Sequence, residues 1–180
     1  DALKTINSST SYEETLQKLA REAYHLVGAL FSYIVTPNEK KDWLNFDAAW
    51  SRDHGEKYIS ELKRRVTSKN KITNQYEPGF PLIGEESEGI TTEAYYKKET
   101  QLLNCISAND YDYVEEYLEV RNKYYEFTYR FTDTSGNPHV LMPQSDIAIP
   151  IIGSSNEVLG VINVEHELPF AFTKEHIKVL

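Results

Sequence analysis

The chain has 180 residues, with 28 acidic and 19 basic side chains and a formal net charge of −9. Such an acidic surface repels phosphate backbones and anionic lipid, which argues against general nucleic-acid or membrane-surface binding. The length suits a single domain over 1–180 with a full core, no apolar run nears the roughly 20 residues of a transmembrane helix, and one cysteine, Cys105, rules out an intrachain disulfide and fits a reducing, cytoplasmic setting.

Residues 1–10 read as a lead-in helix or linker, with Ala2, Leu3 and Ile6 as apolar side chains that have nothing obvious to bury them. The chain opens on Asp1 and stops at Leu180, where a helical pattern has only begun, so it reads as a segment of a longer protein. Ser11-Tyr-Glu-Glu14 has the form of a capping box, and Leu16, Leu19, Ala20, Ala23, Leu26 and Val27 then follow one helical stripe, with Gly28 placed to end it. Ala29 to Val35 reads as a strand, Thr36-Pro-Asn-Glu39 as a turn, and Trp43 to Trp50 as the hairpin partner. Asp53-His-Gly-Glu56 has the spacing of a second capping box, ahead of a helix with Tyr58, Ile59, Leu62 and Val66 on its apolar face. The basic run Lys63-Arg-Arg65 within it reads as a solvated face, because Glu56 and Glu61 lie within a turn or two.

Residues 69 to 90, rich in Gly, Pro and acidic side chains, read as one long loop of the kind that forms lids. Gly89-Ile-Thr-Thr92 starts a short helix running to Lys98, and Gln101 to Cys105 is a short strand. Asn109 to Asp112 caps a further helix carrying Val114, Tyr117, Leu118, Arg121 and Tyr125. Phe127, Tyr129 and Phe131 alternate as a strand, Asp133 to Pro138 turns, and His139 to Met142 returns. The β-branched runs Ser145 to Ile152 and Glu157 to Val164, joined by Gly153-Ser-Ser-Asn156, predict an antiparallel hairpin, with Pro150 at a bulge or with its nitrogen turned from its partner. Thr173 N-caps a last helix through Ile177 and Leu180.

A strand of the form Ser-x-Ile-Ala-x-Pro-Ile, then Val-Leu-Gly-Val-Ile-Asn-Val, then Ala-Phe-Thr before a helix, resembles the closing half of a GAF domain. That resemblance implies an α+β fold: a central antiparallel sheet of five to six strands, with the first, second and last helices on one face. On the other face a roof of short helices and loops would enclose a ligand cavity. Residues 113–142 exceed the family's usual connection and read as an insertion.

Catalytic apparatus is absent from the sequence patterns. There is no Gly-x-x-x-x-Gly-Lys loop, no Gly-x-Ser-x-Gly elbow and no Gly-x-Gly-x-x-Gly turn. Some photoreceptor GAF domains attach a bilin to a cysteine, often followed by His, but Ile106 follows Cys105. Methionine sulfoxide reductases of this fold need a second thiol, which the chain lacks. The cyclic-nucleotide pattern of the family is matched by Asn163 and Phe172, but Val164, His176 and Ile177 depart from it, so cyclic nucleotide is open but unsupported. No metal site or cofactor is expected from the scattered histidines, although a haem on a single axial His stays open.

Tyrosine is the outlier: nine of 13 fall between Tyr76 and Tyr129, where the resemblance places the roof. Tyr95, Tyr96, Tyr113 and Tyr117 are therefore candidates to line a ligand cavity, with Asp110 and Asp146 near its rim favouring an amine or hydroxyls over a bare anion. Ordinary core packing under an insertion accounts for the same rings. The expected function is a cytoplasmic sensory domain that binds an unidentified small molecule and signals through its terminal helices, with a weak homodimer. The rival expectation is a ligand-free dimerisation module.

Overall fold

The computed structural model describes residues 11–70, 74–82, 89–104, 129–132, 138–141 and 144–180. Expectations placed on 1–10, Cys105, Asp110, Tyr113 and Tyr117 lie outside those residues.

Helix α1 (Tyr12–Val27) begins on the expected capping box, in which Ser11 Oγ accepts from the Glu14 amide at 3.2 Å and Glu14 Oε2 accepts from the Ser11 amide at 3.0 Å. Gly28 ends it in the left-handed region, at φ 63°. Leu16, Ala20, Ala23 and Val27 are buried. Leu19 and Leu26, which the sequence placed on the same stripe, are 36% and 52% exposed and do not join the buried face. The helical repeat explains it: at 100° per residue the four buried positions share a narrow arc, and these two leucines fall roughly 70–90° to its side.

Strand β1 (Phe31–Pro37) pairs with β2 (Trp43–Ser51) across a turn closed by Asn38, whose Nδ2 donates to Asp42 Oδ1 at 2.7 Å and whose Oδ1 accepts from the Asp42 amide at 3.1 Å. Ile34 faces Ala48 while Val35 faces Phe46, so Asp47 is the extra residue of a bulge, and Thr36 Oγ1 donates to it. Helix α2 (Tyr58–Arg65) follows, but without the expected capping box: Lys57 is its N-cap and makes no side-chain bond. The preceding residues are instead committed to a tight turn, with Ser51 bridged to Gly55 and Ser51 Oγ accepting from the His54 amide. The solvated-face reading of Lys63 and Arg64 holds, and Arg64 pairs with Glu61 at 2.8 Å.

The long-loop expectation for 69 to 90 is corrected in part. Strands β3 (Thr67–Lys69) and β4 (Tyr76–Pro78) form a two-stranded ladder, and β5 (Phe80–Pro81) pairs with the start of β2. Trp43 Nε1 donates to the Pro78 carbonyl at 3.0 Å and pins this segment. Helix α3 (Ile90–Lys97) and strand β6 (Gln101–Asn104) lie where the sequence placed them. So does the separate hairpin of β7 (Tyr129–Thr132) and β8 (Pro138–Leu141).

The predicted C-terminal hairpin is β9 (Ser145–Ile152) with β10 (Val158–His166), antiparallel throughout. Pro150 lies opposite Val161 and beyond Ala148, the last β9 residue with a β6 partner, so no ladder donor is missing on that flank. Helix α4 (Lys174–Val179) starts on Thr173, whose Oγ1 accepts from the His176 amide at 3.3 Å. The central sheet is six-stranded, in the order β5-β2-β1-β10-β9-β6, and the α+β expectation is met.

Each face of this sheet has its own core. On one, Leu16, Ala20, Ala23 and Val27 of α1 and Phe172 before α4 pack on Ile34, Ala48, Ile147, Ile162 and Val164. On the other, Phe31, Tyr33, Val35, Phe46, Ala148 and Val161 are covered by Tyr58 and Leu62 of α2, Ala94 of α3, and Leu82. Helix α2 thus sits opposite α1, not beside it as the resemblance implied. Its aromatic start decides this, because the Tyr58 ring packs on Phe31 at 5.2 Å between centroids. Each fully buried Leu, Val or Phe side chain contributes about 1.5–3 kcal/mol through lost apolar exposure.

Candidate functional site

The α3 face is polar where it meets the centre of the sheet. Tyr33 on β1 and Asn163 on β10 are direct cross-strand neighbours, and both reach Thr91 in the first turn of α3. Asn163 Nδ2 donates to Thr91 Oγ1 at 3.0 Å, and Tyr33 Oη lies 3.2 Å from the same oxygen. All three are buried: Tyr33 and Thr91 at 5% exposure, Asn163 at 0%. Thr92 Oγ1 donates to the Gly89 carbonyl at 2.9 Å and steadies the helix start, so Thr91 is held in place over the strands.

Two residues further along β10 the same face presents Glu165, opposite Phe31 on β1 and Asp146 on β9. Both carboxylates are 3% exposed. Burial pushes the Glu165 carboxyl well above its usual range, and the neighbouring charge of Asp146 raises it further. Burial likewise pushes the Tyr33 phenol well up, with Glu165 and Asp146 adding to the rise and the Thr91 bond opposing it. Among the described residues, Glu165 Oε2 and Asn163 Oδ1 have no hydrogen-bond partner. An interior acceptor left open in this way costs about 1–3 kcal/mol, so it marks a place that awaits a donor.

Of the six residues expected from sequence, Asp146 belongs to this group and is buried, not at a rim. Tyr95 and Tyr96 are half-buried on α3, packed edge to face at 5.7 Å between centroids and against the core of the same face. Burial raises both phenols, and Tyr95 adds to the rise at Tyr96. Asp110, Tyr113 and Tyr117 lie outside the described residues. Tyr33, Thr91 and Glu165 were not anticipated. The signal for Glu165 was strand parity: it follows Val161 and Asn163 at a spacing of two, so it had to enter the same interior. Among the described residues no group of three His, Cys, Asp or Glu side chains is placed to hold a metal ion, and no helix is long and apolar enough to cross a membrane.

The family model described as GAF domain matches residues 9–180. The chain belongs to the GAF domain family. GAF domains are regulatory and sensory modules found in signalling proteins. Solved structures agree at the level of fold. The GAF domain of an Acinetobacter phosphoenolpyruvate-protein phosphotransferase is 14% identical, with a TM-score of 0.55 over 98% of this chain and 78% of that one. A structure described as that of the GAF domain is 16% identical, with a TM-score of 0.52 over 96% and 75%. The free methionine-R-sulfoxide reductase of Neisseria meningitidis, solved with its substrate, is 13% identical, with a TM-score of 0.52 over 96% and 72%. A search of curated proteins returns no match.

Proposed function

We propose that this GAF domain is a cytoplasmic sensor that binds a small molecule at the α3 face and passes the change to a neighbouring output domain through α1 and α4. The open interior acceptors at Asn163 and Glu165 carry the reading, because a domain serving only as a scaffold gains nothing by burying them. The route outward is short. Tyr33 contacts Thr91 on the α3 side, while the preceding residue, Ser32, donates through Oγ to the Ala20 carbonyl of α1 at 2.6 Å. A ligand that prefers one arrangement of Thr91 and Tyr33 therefore biases how β1 seats α1, by as much as its affinities for the two arrangements differ.

The domain is not an enzyme in this reading. With Cys105 as its only thiol, the chain cannot resolve an oxidised cysteine internally, so the likeness to a sulfoxide reductase stays one of fold. No nucleic acid, membrane surface or tightly held cofactor is expected as a partner. A ligand-free dimerisation module is the second reading, favoured by the exposure of Leu19 and Leu26 on α1. Native mass spectrometry of freshly purified protein against its denatured mass separates the two. An excess mass that is lost on denaturation is expected; a bare protomer and dimer, with no thermal stabilisation from a metabolite panel, would leave the dimerisation module.

A further inference from the structure

We infer that acidification frees α4 from the sheet, with His166 and His176 as paired triggers at the β10–α4 junction. This goes beyond the ligand reading: it concerns the exit route alone and holds whether or not a small molecule binds. Helix α4 has no fully buried residue of its own. What seats it is the segment before it, where Phe172 is 5% exposed and packs in the core beneath α1. Ser145 Oγ ties that segment to β9, donating to the Leu168 carbonyl at 2.6 Å and accepting from the Ala171 amide at 3.2 Å. Between these two ties Phe170 sits at φ 53°, a strained left-handed conformation for a side chain of its size. The junction therefore stores strain that relaxes when its ties let go.

The remaining ties are imidazoles, both half-buried. His166 Nδ1 accepts from the Leu168 amide at 2.9 Å, and the ring stands edge-on to Phe172 at 6.3 Å between centroids. His176 Nδ1 lies 3.3 Å from the Thr173 amide and 3.2 Å from the Ala171 carbonyl oxygen. A neutral ring with its proton on Nε2 accepts from that amide. A ring protonated at Nδ1 has no lone pair there and turns to the carbonyl instead. Protonation thus strips an acceptor from Leu168 and from Thr173 alike, and it undoes half of the capping box that starts α4. The charged and titratable groups around the pair are Glu167, then Arg52, which Glu167 holds at 3.2 Å and Tyr24 of α1 also bonds, and Lys174 and Glu175 on α4. Burial lowers the His166 imidazole, and Arg52 and His176 lower it further against the pull of Glu167. The seated junction holds that proton less tightly than the released one, so falling pH favours release.

Nuclear magnetic resonance on the 180-residue protein, titrated from about pH 7.5 to about pH 5, tests this across the range in which histidines change charge. Ring-nitrogen shifts should place both protons on Nε2 at the start, with His166 titrating below the ordinary 6.5. The helical carbon shifts of Lys174–Val179 should then collapse toward coil values, while those of Tyr12–Val27 in α1 stay as they were. With two protons taken up, the opening constant should rise up to about a hundredfold per pH unit, and with one about tenfold. His166→Asn and His176→Asn each set an amide oxygen in place of Nδ1, which accepts from the same backbone amide and never titrates. The double variant should keep α4 helical at the acid end. Should it not fold, either single variant should show the shallower, one-proton transition. Helical shifts of α4 that persist to the acid end in the parent protein would overturn the inference. So would an equal collapse in the double variant, equally steep transitions in both single variants, or a loss of α1 in step with α4, which would be unfolding of the whole domain.

Discussion

Gly79 occupies a position where any side chain would be strained. Its φ is 119°, and a Cβ there would lie 2.1 Å from the Leu44 carbonyl oxygen and 2.6 Å from Trp43 Nε1, the atom that donates to Pro78. Backbone strain and a clash with backbone combine, so Gly79→Ala is expected to destabilise the domain by about 2–4 kcal/mol, measured by urea denaturation. A loss under 1 kcal/mol would show that the β4–β5 segment moves away freely. Glu165 gives a pH test whose sign is fixed. Its folded pKa is raised above the usual 4.5, so the folded state keeps a proton that the unfolded chain has given up. Stability from this group therefore falls as pH rises above about 4.5 and stops falling once the folded carboxyl also ionises. Glu165→Gln should be the more stable protein at neutral pH, and the difference between the two should shrink toward pH 4. A difference that is constant across that range would mean that Glu165 takes up its proton at the same pH in the folded and unfolded chain. The groups acting on Glu165 are burial and Asp146, and Tyr33 responds to both carboxylates, so the difference between proteins is the quantity to read.

At the scale of elements, Thr91 Oγ1 makes a polar link from α3 to both β1 and β10, alongside the apolar packing of Ala94. Thr91→Val keeps the shape but removes both polar contacts, leaving the Tyr33 hydroxyl and the Asn163 amide buried without that partner. The expected loss is about 2–4 kcal/mol, while Thr91→Ser should recover most of it. Equal losses in the two variants would place the effect in the missing methyl group, not in the hydrogen bonds. Helix α1 depends on local sequence in a different way. Its capping box was legible because Ser-x-x-Glu satisfies two amides with residues only three apart, a condition that needs no tertiary context. Asp53 to Glu56 has the same spacing and makes no such box, because the Ser51–Gly55 turn has already set the local backbone. Spacing alone could not report that competition.

Across the whole molecule, what the sequence revealed divides along the same line. The β9–β10 hairpin announces itself in two β-branched runs around a polar turn, and it carries the center of the sheet. The position of α2 depends on which face accepts Tyr58, a long-range choice that helical periodicity does not encode. The candidate site was half-legible for a related reason: Asp146 and α3 were in view, whereas Thr91 and Glu165 matter only once three separate strands and a helix converge. The stripe on α1 bears on assembly. Six apolar positions were drawn on it, yet only Leu16, Ala20, Ala23 and Val27 are used by the sheet, while Leu19 and Leu26 stay exposed one repeat apart on a single flank. Residues seven apart on a helix return to nearly the same azimuth, so they form a short strip of the kind that packs against a second helix. A strip of two leucines buries too little for a tight dimer, since stable interfaces bury at least about 1,200 Å² in total. The expected behaviour is therefore a weak self-association, seen in light scattering as a mean mass that rises with concentration. Leu19→Glu combined with Leu26→Glu should abolish the rise without shifting the unfolding midpoint, because neither side chain belongs to the core that α1 shares with the sheet. A strict monomer at high concentration, or a double variant that self-associates as before, would exclude this flank of α1 as the contact.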